Sequence, residues 1–189
     1  MDFELQPNPE LSYAGTLLIA HPSMRDPNFA RSVVLVSAHD GEEGSMGVIV
    51  NRPLGTTLGE QSASFQFSPL ADVPIYEGGP VQVEQVILAA WKAIPAKGMF
   101  QLYFGLSEEK AVELALGEPE TVLRAFRGYA GWGKGQLEAE HQQHAWLVAP
   151  AAVSDFARTD GPTFWRGLIT KVRPELRFLS DTPEDPSVN

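Results

Sequence analysis

Two apolar runs of strand length, SVVLVSAHD (32–40) and MGVIVNRP (46–53), are separated only by GEEGS, and no other feature limits the fold as tightly. Valine-rich runs of this length bounded by glycine read as strands, and a glycine-bearing loop this short makes them a hairpin. GTLLIA (15–20) is a further apolar run upstream, followed by HPSMRDPNFAR (21–31), a loop whose prolines stop any long helix. Three strands are therefore expected early in the chain.

The remainder alternates less regularly. IYEGGPVQVEQVILAAW (75–91) predicts a strand, a tight GGP turn and a second strand, and MFQLYFG (99–105) predicts one more; 56–74 is mixed, with one short helix. SEEKAVELALG (107–117) is the clearest helix. Ser107 suits its cap, Glu108 and Glu109 suit its positive end, and Ala111, Leu114 and Ala115 recur at helical spacing. TVLRAFRGYAGW (121–132) fits a strand, yet Val122, Phe126 and Tyr129 would also share a helical face. Helices are expected over 136–143 and 163–172, with AWLVAP (145–150) extended between them. Trp132, Trp146, Trp165, Phe104 and Phe164 are read as core. Strands and helices interleave irregularly, which predicts α+β, as one compact domain over 1–180 followed by an acidic, proline-bearing tail at 181–189. A chain of 189 residues suits one domain, since a globule of that size hides roughly 70% of its unfolded surface.

Several function classes fall to composition. With 0 cysteines there is no disulfide, thiolate metal site or cysteine nucleophile, which fits a reducing compartment. MDFELQPNPEL lacks the basic and apolar segments of a signal peptide, and no apolar run approaches the roughly 20 residues that cross a bilayer, so a cytoplasmic protein without membrane contact is expected. Lys and Arg number 14 against 24 Asp and Glu, a formal charge of −10, with no basic stripe. Such a balance opposes nucleic-acid binding, which draws on positive side chains to displace counterions.

GYAGWGKG (128–135) matches the phosphate-binding frame G-x-x-x-x-G-K-[ST] up to its last residue. Gly135 offers no hydroxyl for Mg²⁺, and Tyr129 and Trp132 place aromatics where the loop would wrap phosphate. The alternative is a turn in which Gly128, Gly131, Gly133 and Gly135 supply backbone freedom at the start of the 136–143 helix while the aromatics enter the core.

GTLLIAHPSMRDPNFARSVVLVSAHDGEEGSMGVIVNRP, YEGGPV, GYAGWGKGQLEAE and DPSVN, in this order from about Gly15 to Asn189, resemble the AlgH/YqgE family of bacterial proteins. The resemblance implies an α+β domain with coiled, branching mixed β-sheet and helices packed outside, and it brings the label of transcriptional regulator. The family's position for Lys134 is commonly proline or otherwise variable, so the resemblance removes the lysine of a phosphate loop. This chain departs from the pattern after YEGGPV, where the family has an Arg and then a strand ending in His; here Gln85 and VEQVILAAW stand, without histidine.

Polar residues matching the family motifs are Asp26, Asn28, Arg31, His39, Asp40, Asn51, Arg52, Glu77 and Gln136, joined by Gly78, Gly79, Gly131, Trp132 and Gly135 in the loops that frame them. These are expected to form a surface for a small-molecule ligand or a protein partner. An enzyme reading makes Arg25, Arg31 or Arg52 clamps on a small anionic substrate in a cleft with Asn51, and Asp26 or Asp40 the base. A purely structural reading has Asp26 and Asn28 organising a turn and Arg31 pairing with an acid. Ser23, His21 and Asp26 are triad residue types without a nucleophile elbow, and His141, His144 and Glu140 lack a further metal ligand. The catalytic set is incomplete and no metal or cofactor is expected, which favours a non-catalytic binding or regulatory protein over the enzyme and over a DNA-binding regulator.

Overall fold

The computed structural model describes residues 12–94, 99–118, 120–152, 155 and 161–181; most of the acidic tail, and the DPSVN ending, lie outside these. β1 (Thr16–Ala20), β2 (Val33–Asp40) and β3 (Gly44–Ile49) form the expected antiparallel meander. Their runs are apolar at successive positions because both faces are covered. Leu17, Ile19, Val33 and Leu35 enter one core cluster, and Leu18, Ala20, Val34 and Val36 enter another on the opposite face.

The chain continues through β4 (Pro53–Thr57), α1 (Leu58–Gln61), β5 (Pro74–Glu77), β6 (Val81–Ile94), β7 (Met99–Phe104) and α2 (Glu108–Gly117). β8 (Val122–Trp132), α3 (Gln136–Gln142), β9 (Trp146–Pro150), α4 (Pro162–Val172), a 3₁₀ turn (Pro174–Leu176) and α5 (Arg177–Ser180) complete the described elements. The strands join in one open mixed sheet of order β4-β5-β8-β3-β2-β1-β9, with β6 on β8 and β7 on β6. The molecule is thus α+β, a single compact domain.

β8 is the axis of that sheet. Ala125, Phe126 and Arg127 lie beside Ile75, Tyr76 and Glu77 of β5 in parallel, while the opposite edge pairs with β6 antiparallel. Beyond Gly128 the strand changes neighbour, and Ala130, Gly131 and Trp132 pair with Gly47, Met46 and Ser45 of β3. Segment 121–132 is therefore strand and not helix, settled by partners on both edges that no local pattern records.

The branch is made possible by glycine. A Cβ on Gly78 would stand 2.2 Å from the Gly128 carbonyl oxygen, one on Gly79 2.3 Å from the Tyr129 carbonyl carbon, and one on Gly128 2.4 Å from the Gly79 oxygen. Gly128 also has φ of 70°. This corrects the sequence expectation for 128–135: Gly128 and Gly131 belong to β8, and the turn before α3 is confined to 133–135, so no phosphate-wrapping loop exists there.

Helices close the faces. α4 buries Phe164, Trp165, Leu168 and Ile169 against Leu17, Val33 and Leu35, and the Trp165 indole N–H donates to the Ala20 carbonyl at 2.8 Å. α3 inserts Leu137 beside Ile49, Trp132 and Trp146 on the other face. α2 sets Ala111 against Leu58, Leu70, Ile75 and Leu88, and its Ser107 hydroxyl accepts the Lys110 N–H at 3.3 Å as the cap requires. Arg124, 5% exposed, lies over Tyr76 at 4.5 Å and Trp91 at 5.2 Å; burial lowers its pKa, a cost that the two ring faces offset.

Candidate functional site

Six of the motif residues meet at one end of the β2–β3 hairpin. Asp26 accepts the Asn28 N–H at 2.9 Å, which folds loop 26–32 on itself. Asn51 holds the loop from beneath: its Oδ1 accepts the Val33 N–H at 2.8 Å, and its Nδ2 donates to the carbonyls of Arg31 at 3.0 Å and Gly161 at 3.2 Å. Arg52 grips the outer side, donating to the Asn28 carbonyl at 2.9 Å, the Ala30 carbonyl at 3.0 Å and Glu77 Oε1 at 3.0 Å. Arg31 takes a φ of 57° and places its guanidinium 5.6 Å from the Trp165 ring. The Asn51 amide and the Arg52 guanidinium are largely spent on backbone carbonyls, so their chemistry is to fix a loop.

The remaining polar motif residues, His39, Asp40 and Gln136, sit toward the opposite end of the same hairpin, roughly 20 Å away along β2. Asp40 accepts the N–H groups of Glu42 at 2.7 Å and Glu43 at 3.0 Å to form the turn. The His39 ring bonds Ser45 Oγ at 2.7 Å, faces Glu138 at 3.4 Å and packs edge-on against Tyr13. Gln136 Oε1 accepts the Gly133 N–H at 3.0 Å, and Gly135, with φ of 70°, opens α3. The enzyme reading that pairs Arg52 with Asp40 thus has its two groups at different ends of the molecule.

Glu140 ties that second end back to loop 26–32 across one face of the sheet, a role sequence reasoning did not assign. Its Oε2 accepts both buried indole N–H groups, from Trp132 at 2.9 Å and Trp146 at 2.7 Å, while Oε1 accepts Gln136 Nε2 at 2.9 Å. Phe29 of loop 26–32 stacks on Trp132 at 6.2 Å and meets Trp146 edge-on at 5.6 Å. Glu140→Leu leaves two indole donors without a partner and is expected to cost about 2–4 kcal/mol, read by denaturant unfolding followed through tryptophan fluorescence.

The backbone amides of Glu42 and then Glu43 hold the Asp40 carboxyl below its ordinary 3.8. A lowered carboxyl contributes to the folded state above its unfolded pKa and loses that contribution as pH falls through the folded value. The amide resonances of Glu42 and Glu43 are therefore expected to titrate together below pH 3.8 and to stay flat in Asp40→Asn.

A cleft opens beside the first end, about 320 Å³ in volume and lined by Asn28, Leu54, Glu77, Gly79, Pro80, Val83 and Arg127. Two breaks of register build it. Val81 pairs with Tyr129 and Val86 with Arg127, so 82–85 arch off the sheet, with Gln82 at φ of 50°. Pro53 pairs with Tyr76 and Thr57 with Pro74, so 54–56 bulge as well, with Gly55 at φ of 70°. Bulges re-aim side chains beside functional sites. Here they expose Leu54 and Val83, at 41% and 46%, over the same space. Of these residues the sequence singled out Asn28, Glu77 and Gly79. Pro80 falls within the 77–80 loop expected to face a ligand, whereas Leu54, Val83 and Arg127 were missed, although the apolar phase slips between Val83 and Val86 in VQVEQV, which is the mark of the arch.

His21 and Ser23 bond each other at 2.7 Å while Asp26 turns to Asn28, so those triad types form no relay. Among the described residues no group of His, Asp or Glu is placed to hold a metal ion. No described helix is long and apolar enough to cross a membrane.

Fold and cleft together define an α+β protein with a branched mixed sheet and an open, amphipathic groove at the branch. The AlgH-like family model matches residues 17–177, and the chain belongs to that family. UPF0301 protein SCO2948 of Streptomyces coelicolor is 36% identical over 188 residues, covering 94% of this chain and 96% of the relative. UPF0301 protein CT0663 of Chlorobaculum tepidum is 32% identical, over 95% and 97% of the two chains. The solution structure of the AlgH protein from Pseudomonas aeruginosa superposes with a TM-score of 0.64 at 26% identity, covering 96% of this chain and all of that one (100%). None of these names states an activity.

Proposed function

We propose that this protein is a non-catalytic binding protein of the cytoplasm that takes a ligand in the cleft between β4, β5, β6 and β8. One observation carries the reading. The motif side chains suited to catalysis are engaged in holding loops, whereas two separate register breaks turn Leu54 and Val83 toward one cleft whose walls carry Glu77 and Arg127. A binding site needs a few placed polar groups on an apolar surface, and this one has them at a volume near the lower end of small-molecule pockets, roughly 300–1,000 Å³. The bases an enzyme reading names, Asp26 and Asp40, each face backbone N–H groups, and Glu77, the carboxylate in the cleft wall, is paired with Arg52.

The test is a thermal-shift screen of small metabolites and short peptides, since a ligand of the native state raises the melting temperature. A saturable shift removed by Arg127→Ala or Val83→Asp is expected. Shifts that survive both substitutions, or turnover of a screened compound, would overturn the reading.

A further inference from the structure

The two charges of the cleft are cross-strand neighbours that do not neutralise one another. Glu77 and Arg127 are register partners in the parallel β5–β8 ladder, and both line the cavity. Yet Glu77 pairs away from it, with Arg52 at 3.0 Å, and the Arg127 guanidinium bonds the neutral Gln61 Oε1 at 3.2 Å. Among the described residues Arg127 meets no carboxylate at ion-pair distance. With Arg52 and Glu77 offsetting each other, the cleft retains one positive charge in a protein of net −10.

We infer that this cleft binds an α-carboxylate carried by an aliphatic residue: an aliphatic amino acid, free or as the last residue of a peptide. The inference rests on the cleft reading above and specifies its ligand. Arg127 supplies a planar fork that matches a carboxylate, with donors remaining after the single bond to Gln61. Glu77 Oε1 is occupied by Arg52, which leaves Oε2 to accept from a donor next to that carboxylate, the α-ammonium of an amino acid or the amide N–H of a peptide. Leu54, Pro80 and Val83 form the apolar wall for an aliphatic side chain, and all three are exposed, so they gain by being covered. A dianion or phosphate would bring its charge against Glu77, and a cation would meet Arg127. Only a single carboxylate flanked by a donor suits both neighbours.

The experiment titrates the full chain with L-leucine, N-acetyl-L-leucine, the tripeptide Ala-Ala-Leu and its C-terminal amide, followed by amide shifts in heteronuclear NMR. At least one acid is expected to bind, with shifts centred on 77–83 and 127, and the tripeptide amide is expected to bind at least tenfold more weakly than its acid. Leucine binding without the acylated forms assigns a free amino acid; tripeptide binding without leucine assigns a peptide terminus. Arg127→Gln should weaken the acid at least tenfold, and Val83→Asp, on the exposed arch, guards against a fold effect at Arg127. Equal binding of acid and amide, an affinity indifferent to Arg127→Gln, or no binding of any probe at millimolar concentration overturns the inference. A different compound lost on Val83→Asp but insensitive to removal of its carboxylate would overturn it while leaving the cleft reading intact.

Discussion

Gly128→Ala is expected to destabilise the protein by at least about 4 kcal/mol, a size reserved for substitutions with an identifiable structural fault. Two costs combine. The residue sits at φ of 70°, where a Cβ collides with its own chain at roughly 1–2 kcal/mol. The new methyl would also stand 2.4 Å from the Gly79 oxygen and 2.8 Å from the Val81 oxygen, which are main-chain atoms and cannot rotate aside. Relief requires β8 to move off the Gly78–Gly79 turn, and with it the switch of partner from β5 to β3 and the foot of the 82–85 arch. Against a typical total of 5–15 kcal/mol, a loss of this size leaves little folded protein at moderate temperature. Gly167→Ala is the control: it lies exposed in α4 with nothing within 4 Å, and it should stabilise by about 0.5–1 kcal/mol. Urea unfolding of both variants checks the pair. Gly78→Ala faults the same crossing from the other side, through the Gly128 oxygen at 2.2 Å. The double variant should therefore lose less than the sum of the singles.

How much of this was legible follows from where each signal resides. The β2–β3 hairpin and α2 are local objects: short spacing, glycine and a serine cap all lie within a dozen residues of what they specify. β8 is not local. Val122, Phe126 and Tyr129 fit a helical face as well as a strand, and only β5, β6 and β3 on its edges make it extended. The glycines of YEGGPV were legible as a tight turn and those of GYAGWGKG as places of backbone freedom, but not as each other's neighbours, because the contact between Gly79 and Gly128 joins positions far apart in the chain. The candidate residues divide the same way. Asp26 and Asn28 were readable as turn formers from their short spacing and Asp40 was not, whereas the cleft depends on pairing register, which is a property of two strands and leaves only a faint phase slip in one of them.

Asn51→Leu is expected to cost roughly 3–6 kcal/mol, because it keeps the volume of a side chain only 2% exposed while leaving the Val33 N–H and the Arg31 and Gly161 carbonyls without their partner. The loss is larger than that of Arg52→Ala, whose target carbonyls at Asn28 and Ala30 stand beside solvent and can exchange the guanidinium for water. Asn51 ties three separate segments, the start of β2, loop 26–32 and the entry to α4, so its removal releases Phe29 from the tryptophan pair and Asn28 from the rim of the cleft. Tryptophan emission and ligand affinity should change together. Asn51→Asp separates the two halves of the amide's work. Its Oδ1 still accepts from Val33, but the second oxygen then faces two carbonyls, which raises the pKa of the buried carboxyl above its unfolded value of about 3.9. With a raised carboxyl pKa the unfolded state ionises first, so stability relative to wild type falls as pH rises through that value toward 7. Melting temperatures measured from pH 4 to 7 should show Asn51→Asp diverging from wild type while Asn51→Leu stays parallel to it. Parallel behaviour of both variants would mean that the carbonyls of Arg31 and Gly161 do not press on the introduced carboxylate, and a melting temperature unchanged in Asn51→Leu would mean that loop 26–32 is held by Arg52 and packing instead.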